Sequence, residues 1–447
     1  MTLPGQLSFI QQGQLWAIVG ESDSGHSSLV NSVQGKSIEN VSLKHQFRNL
    51  SNTRDFYYQQ RFNSSDSEDA LTVMQHLASI AENRGFWNLN NVIATLRLED
   101  LLEEQVIKLS NGETKRLLIA SALIKNPELI TLDHPLTGLD TSIRAQFSVI
   151  LEEIANSGTM VIMATNPMEI PDTITHVAVM QNESIIFTSE KEKYDPAQFN
   201  FGHHLQINKE ELYDLISFHH NNTFSIIIQM TNVNVEYDGK KILQNINWTV
   251  KQGERWSLTG PNGAGKSTLL SLVNGDNPQA YANDIILFDR KRGSGESIWD
   301  IKKQTGFVSP ELYQYFPTES SCLHVIESGF YDTVGLFRPT DPEKEAVSMR
   351  WMKLMHIYQY AFRLFSMVPA SAQRLCLLAR AIVKNPPLLI LDEPTQGLDL
   401  SQQQFFTQLI DDICDHTKVT VIYVSHYEHH IPKAVNKRIF LKNGKII

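Results

Sequence analysis

Hydrophobic and polar positions along the chain repeat with two periods, and the whole arrangement then occurs a second time. Residues 14–20 (QLWAIVG) and 254–260 (ERWSLTG) each read as a short strand running into a glycine. Residues 121–127 (SALIKNP) return as 380–386 (RAIVKNP), and 129–140 (LITLDHPLTGLD) as 388–399 (LLILDEPTQGLD). Self-similarity of this extent marks a duplicated domain. The glycines lie 240 positions apart, 20 to 260, and the aspartates 259, 140 to 399, so the second copy carries 19 extra residues between its loop and its later helix.

Each copy runs strand, glycine loop, helix, a variable helical middle, a further helix, an apolar strand ending in Asp, and a last strand at 159–165 or 420–425. Strands alternating with helices predict an α/β fold, a mostly parallel sheet covered by helices and joined to a helical subdomain, twice over. The domains are expected at 1–189 and 223–447. Between them, 190–222 is polar, contains Pro196, Gly202 and several Asn, and reads as a linker with one helix near 209–218. Adjacent residues point in different directions, so its His203-His204 and His219-His220 pairs suit solvated side chains better than a metal site.

The second glycine opens GPNGAGKST. Gly260, Pro261, Asn262, Gly263, Ala264, Gly265, Lys266, Ser267 and Thr268 satisfy G-x-x-x-x-G-K-[ST]. In that pattern glycines let backbone N–H groups close around an anion, the lysine reaches the β/γ-phosphates and the hydroxyl holds Mg²⁺. A strand before it and a helix after it, whose N-terminus faces the phosphates, complete a nucleoside triphosphate site. The apolar run 388–391 then delivers Asp392 to the metal shell and Glu393 to polarise a water for in-line attack. His426, at the end of another strand, is placed to contact the γ-phosphate. Tyr237, just before the domain's first turn, can stack on the base, worth about 1–3 kcal/mol, with a strand-end core tyrosine as the competing reading.

Composition restricts the partners. The chain has 447 residues, 42 % of them apolar, with 39 Lys+Arg against 49 Asp+Glu. A net charge of −10 argues against coating nucleic acid by bulk electrostatics. Cys322, Cys376 and Cys414 lack C-x-x-C spacing and point to a reducing, cytoplasmic compartment. No run approaches about 18 apolar residues, so a membrane is expected to be met only through a partner.

In the first copy Leu109-Ser110-Asn111-Gly112-Glu113 opens a helix. Together with the phosphate loop, the Asp-ended strand and the duplication, it resembles the signature of ATP-binding cassette (ABC) ATPases over nearly all the chain. The resemblance implies ATP as substrate, Mg²⁺ as cofactor and two cassettes pairing head to tail within one chain. Each ATP would lie between one cassette's phosphate loop and the other's signature, here Ser110, Gly112 and Glu113.

Departures from the family pattern are concentrated. The first loop reads Gly20-Glu21-Ser22-Asp23-Ser24-Gly25-His26-Ser27-Ser28, with His26 in the lysine position. Gly20, Ser24, Gly25, Ser27 and Ser28 keep the outline of a phosphate loop. An imidazole of ordinary pKa is largely neutral at pH 7 and shorter in reach. His134 stands where the general-base glutamate belongs and Asn166 where the γ-phosphate histidine belongs. The second signature has become Val368-Pro369-Ala370-Ser371-Ala372, in which Ser371 puts a Cβ against the phosphate. By the family's pairing rule all these losses fall on one interface. The other, with Lys266, Ser267, Asp392, Glu393 and His426 closed by Ser110 and Gly112, is complete. The glutamine that links ATP to a partner is expected at Gln59 or Gln60 in the first cassette, whereas Pro310 takes its place in the second. A strand bearing a base-stacking aromatic is not expected in the first cassette, consistent with a weak site or a shortened N-terminus.

Residues 277–303 and 328–332 are similar to tandem-cassette proteins described as molybdenum-transport ATP-binding proteins. This implies an importer subunit working with a separate permease on the inner face of the plasma membrane, with molybdate as cargo by family name only. Two alternatives remain open. A soluble ABC ATPase acting on ribosomes or nucleic-acid machinery is less favoured, since the inter-cassette stretch is acidic and short, and an ATP-gated regulatory module would show negligible turnover.

Overall fold

The computed structural model describes residues 5–21, 24–42, 70–81, 85–109, 111–136, 141–199, 201, 205–217, 223–237, 239–317, 319–425 and 428–447. They form two compact units, one ending at Phe201 and one beginning at Leu205. The elements of the first are β1 (Leu15–Gly20), α1 (His26–Asn31), β2 (Ile38–Val41), α2 (Val73–Ile80), α3 (Leu89–Leu96), α4 (Asn111–Leu123), β3 (Leu129–Asp133), α5 (Thr141–Asn156), β4 (Met160–Thr165), β5 (His176–Gln181) and β6 (Ser184–Glu190). The strands make one six-stranded sheet in the order β2-β3-β4-β1-β5-β6, parallel except for the last pair.

β1 is buried along its whole length because both faces are covered. Trp16 and Ile18 pack with Val30 and Val33 on one side, and Ala17 and Val19 with Leu117, Leu132 and Leu151 on the other. A strand covered on both faces reads as a continuous apolar run, which is why β1, β3 and β4 are recognisable from sequence. Each fully buried Leu or Ile contributes about 1.5–3 kcal/mol relative to exposure, so a charge at Ile130 or Ile162 would unfold the unit.

The second unit repeats the plan with additions. It comprises α6 (Lys209–Ser217), β7 (Ile228–Tyr237), β8 (Lys240–Val250), β9 (Arg255–Thr259), α7 (Lys266–Asn274), β10 (Asp284–Leu287), β11 (Arg290–Lys291), α8 (Ile298–Lys302), β12 (Thr305–Val308), α9 (Pro310–Tyr315), α10 (Cys322–Glu327), α11 (Pro342–Leu354), α12 (Ala370–Ile382), β13 (Leu388–Asp392), α13 (Leu400–His416), β14 (Thr420–Val424), β15 (Lys437–Lys442) and β16 (Lys445–Ile446). Its six-stranded sheet runs β12-β13-β14-β9-β15-β16, position for position the order of the first unit. A further sheet, β11-β10-β7-β8, is antiparallel. Among the described residues the first unit has no counterpart of it.

The stretch 190–222, polar in composition, is divided between the two cores. Tyr194, Phe199 and Phe201 pack on the first. Leu205, Ile207 and the buried Leu212, Leu215 and Ile216 of α6 pack on the second. Arg350 fastens α6 to α11 through Glu211, at 2.7 Å, and Asp214, at 2.5 Å. Leu212, Leu215 and Ile216 follow the helical spacing i, i+3, i+4, whereas the other anchoring residues give no periodic signal against the polar background. His203, His204, His219 and His220 lie outside the described residues.

Candidate functional site

In the second unit β9 ends at Thr259, the chain turns through 260–265, and α7 begins at Lys266. Glycine is required at two of these turns. Gly260 has φ +147 and a Cβ there would come within 2.1 Å of the Leu441 carbonyl oxygen; Gly265 has φ +101 and a Cβ would meet Leu243 at 2.9 Å. Gly263, at φ +73, has nothing within 4 Å of such a Cβ, so this turn faces open space. Lys266 Nζ donates to the carbonyls of Gly260, at 2.8 Å, and Pro261, at 3.0 Å, which holds the ammonium over the loop.

The residues present suit a bound triphosphate and its cation. The Asn262 amide nitrogen is buried without a partner inside the loop, a donor that an anion would satisfy. Ser267 and Asp392 offer the hard oxygen donors that Mg²⁺ takes. Asp392 ends β13, pairs in register with Val424 of β14 and is 8 % exposed. Glu393 follows in the left-handed region, φ 47, with its N–H donating to the Val424 carbonyl at 3.0 Å. A non-glycine residue held there is strained. Gln396 Nε2 donates to Glu393 Oε2 at 3.1 Å, and Asp399 caps α13 through the Gln402 N–H at 2.8 Å. Tyr237 is half-buried at the end of β7, its hydroxyl accepting from Asn277 Nδ2 at 2.8 Å. His426 and Ser110 lie outside the described residues. Gly112 and Glu113 stand in the first turn of α4.

The first unit repeats parts of this backbone with different side chains. Gly25, φ 86, precedes α1 as Gly265 precedes α7. His134 has φ 46 and bonds the Ala164 carbonyl at 2.9 Å, matching Glu393. His26 is 2 % exposed; burial, reinforced by His134 and opposed by Asp133, pushes its imidazole down to about 3. It therefore carries no charge at neutral pH. Its two ring nitrogens are engaged with Ser24 Oγ, at 2.8 Å, and His134 Nε2, at 3.1 Å. Asp133 is occupied as well: Ser27 Oγ donates to one oxygen at 2.8 Å and Asn31 Nδ2 to the other at 2.9 Å. In the second unit the position of Asn31 is Ser271, whose hydroxyl bonds its own helix at Thr268 O. Asn166 accepts from the Met168 N–H at 3.0 Å and so closes a local turn.

The positions of Gly20, Ser24, Gly25, Ser27 and Ser28 thus form a phosphate loop in outline whose polar groups are turned on one another. The second signature fares similarly. Pro369 caps α12 without a side-chain bond, and Ser371 Oγ is buried with no partner. Pro310, in the place of the linking glutamine, opens α9, with Ser309 accepting from the Leu312 N–H. Gln59 and Gln60 lie outside the described residues. Asn31 and Gln396 escaped sequence reasoning; only the pairing of copies, Asn31 against Ser271, carries a signal for the first.

A strand, a glycine loop and a helix beginning at a lysine, with an Asp-Glu pair at the neighbouring strand end and the whole repeated, define an ATP-binding cassette. The ABC transporter family profile matches residues 6–137 and 243–396. The chain belongs to that family and is a tandem ABC ATPase. It is similar to the ABC transporter ATP-binding protein ModF of Escherichia coli (strain K12), with 32 % identity over 455 residues, 97 % of this chain and 93 % of that protein. An uncharacterized ABC transporter ATP-binding protein of Schizosaccharomyces pombe is 31 % identical over 464 residues, again 97 % of this chain and 93 % of the relative. The solved model of ribosome-bound archaeal Pelota and ABCE1 aligns with 98 % of this chain and 75 % of that chain at a TM-score of 0.62 and 16 % identity, a likeness of fold. No helix among the described residues is long and apolar enough to cross a membrane.

Proposed function

We propose that this tandem ATPase is asymmetric, with one hydrolytic site and one that holds nucleotide weakly or not at all. The hydrolytic site uses the loop 260–268, Asp392, Glu393 and His426, closed by Ser110, Gly112 and Glu113 of the first cassette. Lys266 and the loop N–H groups bind the β/γ-phosphates, and Tyr237 supports the base. Mg²⁺ held by Ser267 and Asp392 supplies charge neutralisation across the phosphates when bound. Glu393 orients water and accepts its proton as the anhydride breaks. The observation that carries this reading is the difference in residue type at matching backbone positions: Lys266 opens α7 and Glu393 follows the strand aspartate in the second unit, where the first has His26 opening α1 and His134 after Asp133 at nearly the same φ. Phosphate release from Lys266→Ala and Glu393→Gln, each against His26→Gln, tests it; equal losses from all three overturn it.

The cassettes are assigned to 1–189 and 223–447, with 190–222 joining them while its residues pack on one core or the other. The work done is proposed to be import through a separate permease in the cytoplasmic membrane, supported by the transporter naming of relatives that match the chain end to end. Molybdate as cargo rests on the family resemblance alone. A second reading, a soluble ATPase of ribosomes or nucleic-acid machinery, is supported by the fold likeness along 98 % of the chain. Fractionation of the native protein decides: ATPase sedimenting with membranes carrying a co-purifying permease supports import, and sedimentation with ribosomes supports the alternative.

A further inference from the structure

We infer that Arg374, one turn into the helix that follows the decayed second signature, is a positioning residue for Glu393 and for the 393–397 loop that carries it. The inference rests on the reading of Glu393 as the base. Arg374 is 9 % exposed, its guanidinium 4.4 Å above the Tyr313 ring, and its Nε has no partner. The loop is moulded to it: a Cβ on Gly397, φ +74, would come 2.9 Å from Nε, 3.2 Å from Cζ and 3.3 Å from Nη2. On the loop's other side Gln396 donates its amide to Glu393 and its N–H to the Glu393 carbonyl. The charge of Arg374 interacts with that of Glu393, while burial lowers the guanidinium's own pKa.

A buried cation is costly unless an opposing charge offsets it, and Glu393 and the face of Tyr313 answer this one. The first unit supplies an independent instance. Lys115 occupies the same position of its helix, 259 residues earlier, and its Nζ donates to the carbonyl of His134, the residue standing in the base position, at 3.2 Å. In both copies the signature helix thus carries a basic side chain at this position that meets the strand-end loop: Lys115 bonds the residue after the strand aspartate, and Arg374 lies against Gly397, four residues beyond that same position. In the first copy that residue is an imidazole and the contact is to backbone; in the second it is a carboxylate. The link ties Glu393 to the helix that begins at Pro369 and Ala370, so that a shift of the signature segment moves the catalytic loop.

The test uses the full-length chain and reads phosphate release together with fluorescent ATP binding. Arg374→Met is expected to lower kcat by on the order of tenfold or more, leaving KM and nucleotide affinity near wild type, and Arg374→Lys to recover most of the loss. Wild-type kcat in Arg374→Met, a KM raised as much as kcat falls, or no recovery by Lys would overturn the inference. Should Arg374→Met not fold, Arg374→Gln is read by the same criteria. Glu393→Gln is measured alongside: if it keeps turnover, the reading of the base fails, whereas loss in Glu393→Gln with none in Arg374→Met sinks only the role of Arg374.

Discussion

The two glycine loops of this chain share a strand-to-helix turn and differ in the side chains they carry. Both follow a parallel strand, both place a left-handed glycine before a helix, and both set the residue after the strand aspartate at positive φ. They differ in where the polar groups go. In the second, Lys266 keeps its charge above an open turn. In the first, His26 is neutral and buried, and Ser24, Ser27, Asn31, Asp133 and His134 satisfy each other. Matching turns can thus carry a lysine-bearing loop in one copy and a neutral, mutually bonded set of side chains in the other.

The contrast is broken most directly at the lysine. Lys266→Ala or Glu393→Gln should lower turnover by on the order of 10²–10³-fold or more, the cost of losing a group that meets developing charge, while His26→Gln stays close to wild type in the same phosphate-release assay. A smaller effect is expected at the base. Tyr237→Ala should weaken ATP binding by about 1–3 kcal/mol, and Tyr237→Phe, which keeps the ring and drops the bond to Asn277, much less; calorimetric titration of ATP reads both.

Acid sharpens the comparison. The folded His26 refuses a proton down to about 3, whereas the unfolded chain takes one near 6.5. Between those values the unfolded state binds more protons, so stability of the first unit falls as pH falls through that window, by up to about 1.4 kcal/mol per unit of pH. Urea unfolding from pH 7 to 5 should show this slope in the transition of the first unit, and His26→Gln should flatten it. The smallest change concerns the second signature. Ser371→Ala removes a buried hydroxyl without a partner and should raise the stability of the second unit by about 1 kcal/mol, without altering turnover; a loss of stability would mean that Oγ is bonded in solution.

Much of this was legible in sequence. The duplication, the parallel sheets and the phosphate loop follow from apolar runs ending in Gly or Asp, because strands covered on both faces must be apolar throughout. His26, His134 and the altered second signature are visible by setting one copy against the other. The bonds that turn these substitutions into a closed network were not, since Asn31 and Asp133 are 102 positions apart and either is an ordinary surface polar residue until a helix and a strand bring them together. Arg374 gave no signal of its own, because a basic residue in a helix is usually solvated. The anchoring of 190–222 was hidden for a related reason: Tyr194, Phe199, Phe201, Leu205 and Ile207 follow no period.

Asn31 bears on how the first unit could be re-engineered. With its amide seated on Asp133, a lysine introduced at position 26 would stand beside a carboxylate that is still engaged. Freeing that carboxylate takes a second change, to a short hydroxyl as at Ser271. The small side chain on α1 thus couples two positions, so that neither substitution alone gives the first loop the side chains of the second.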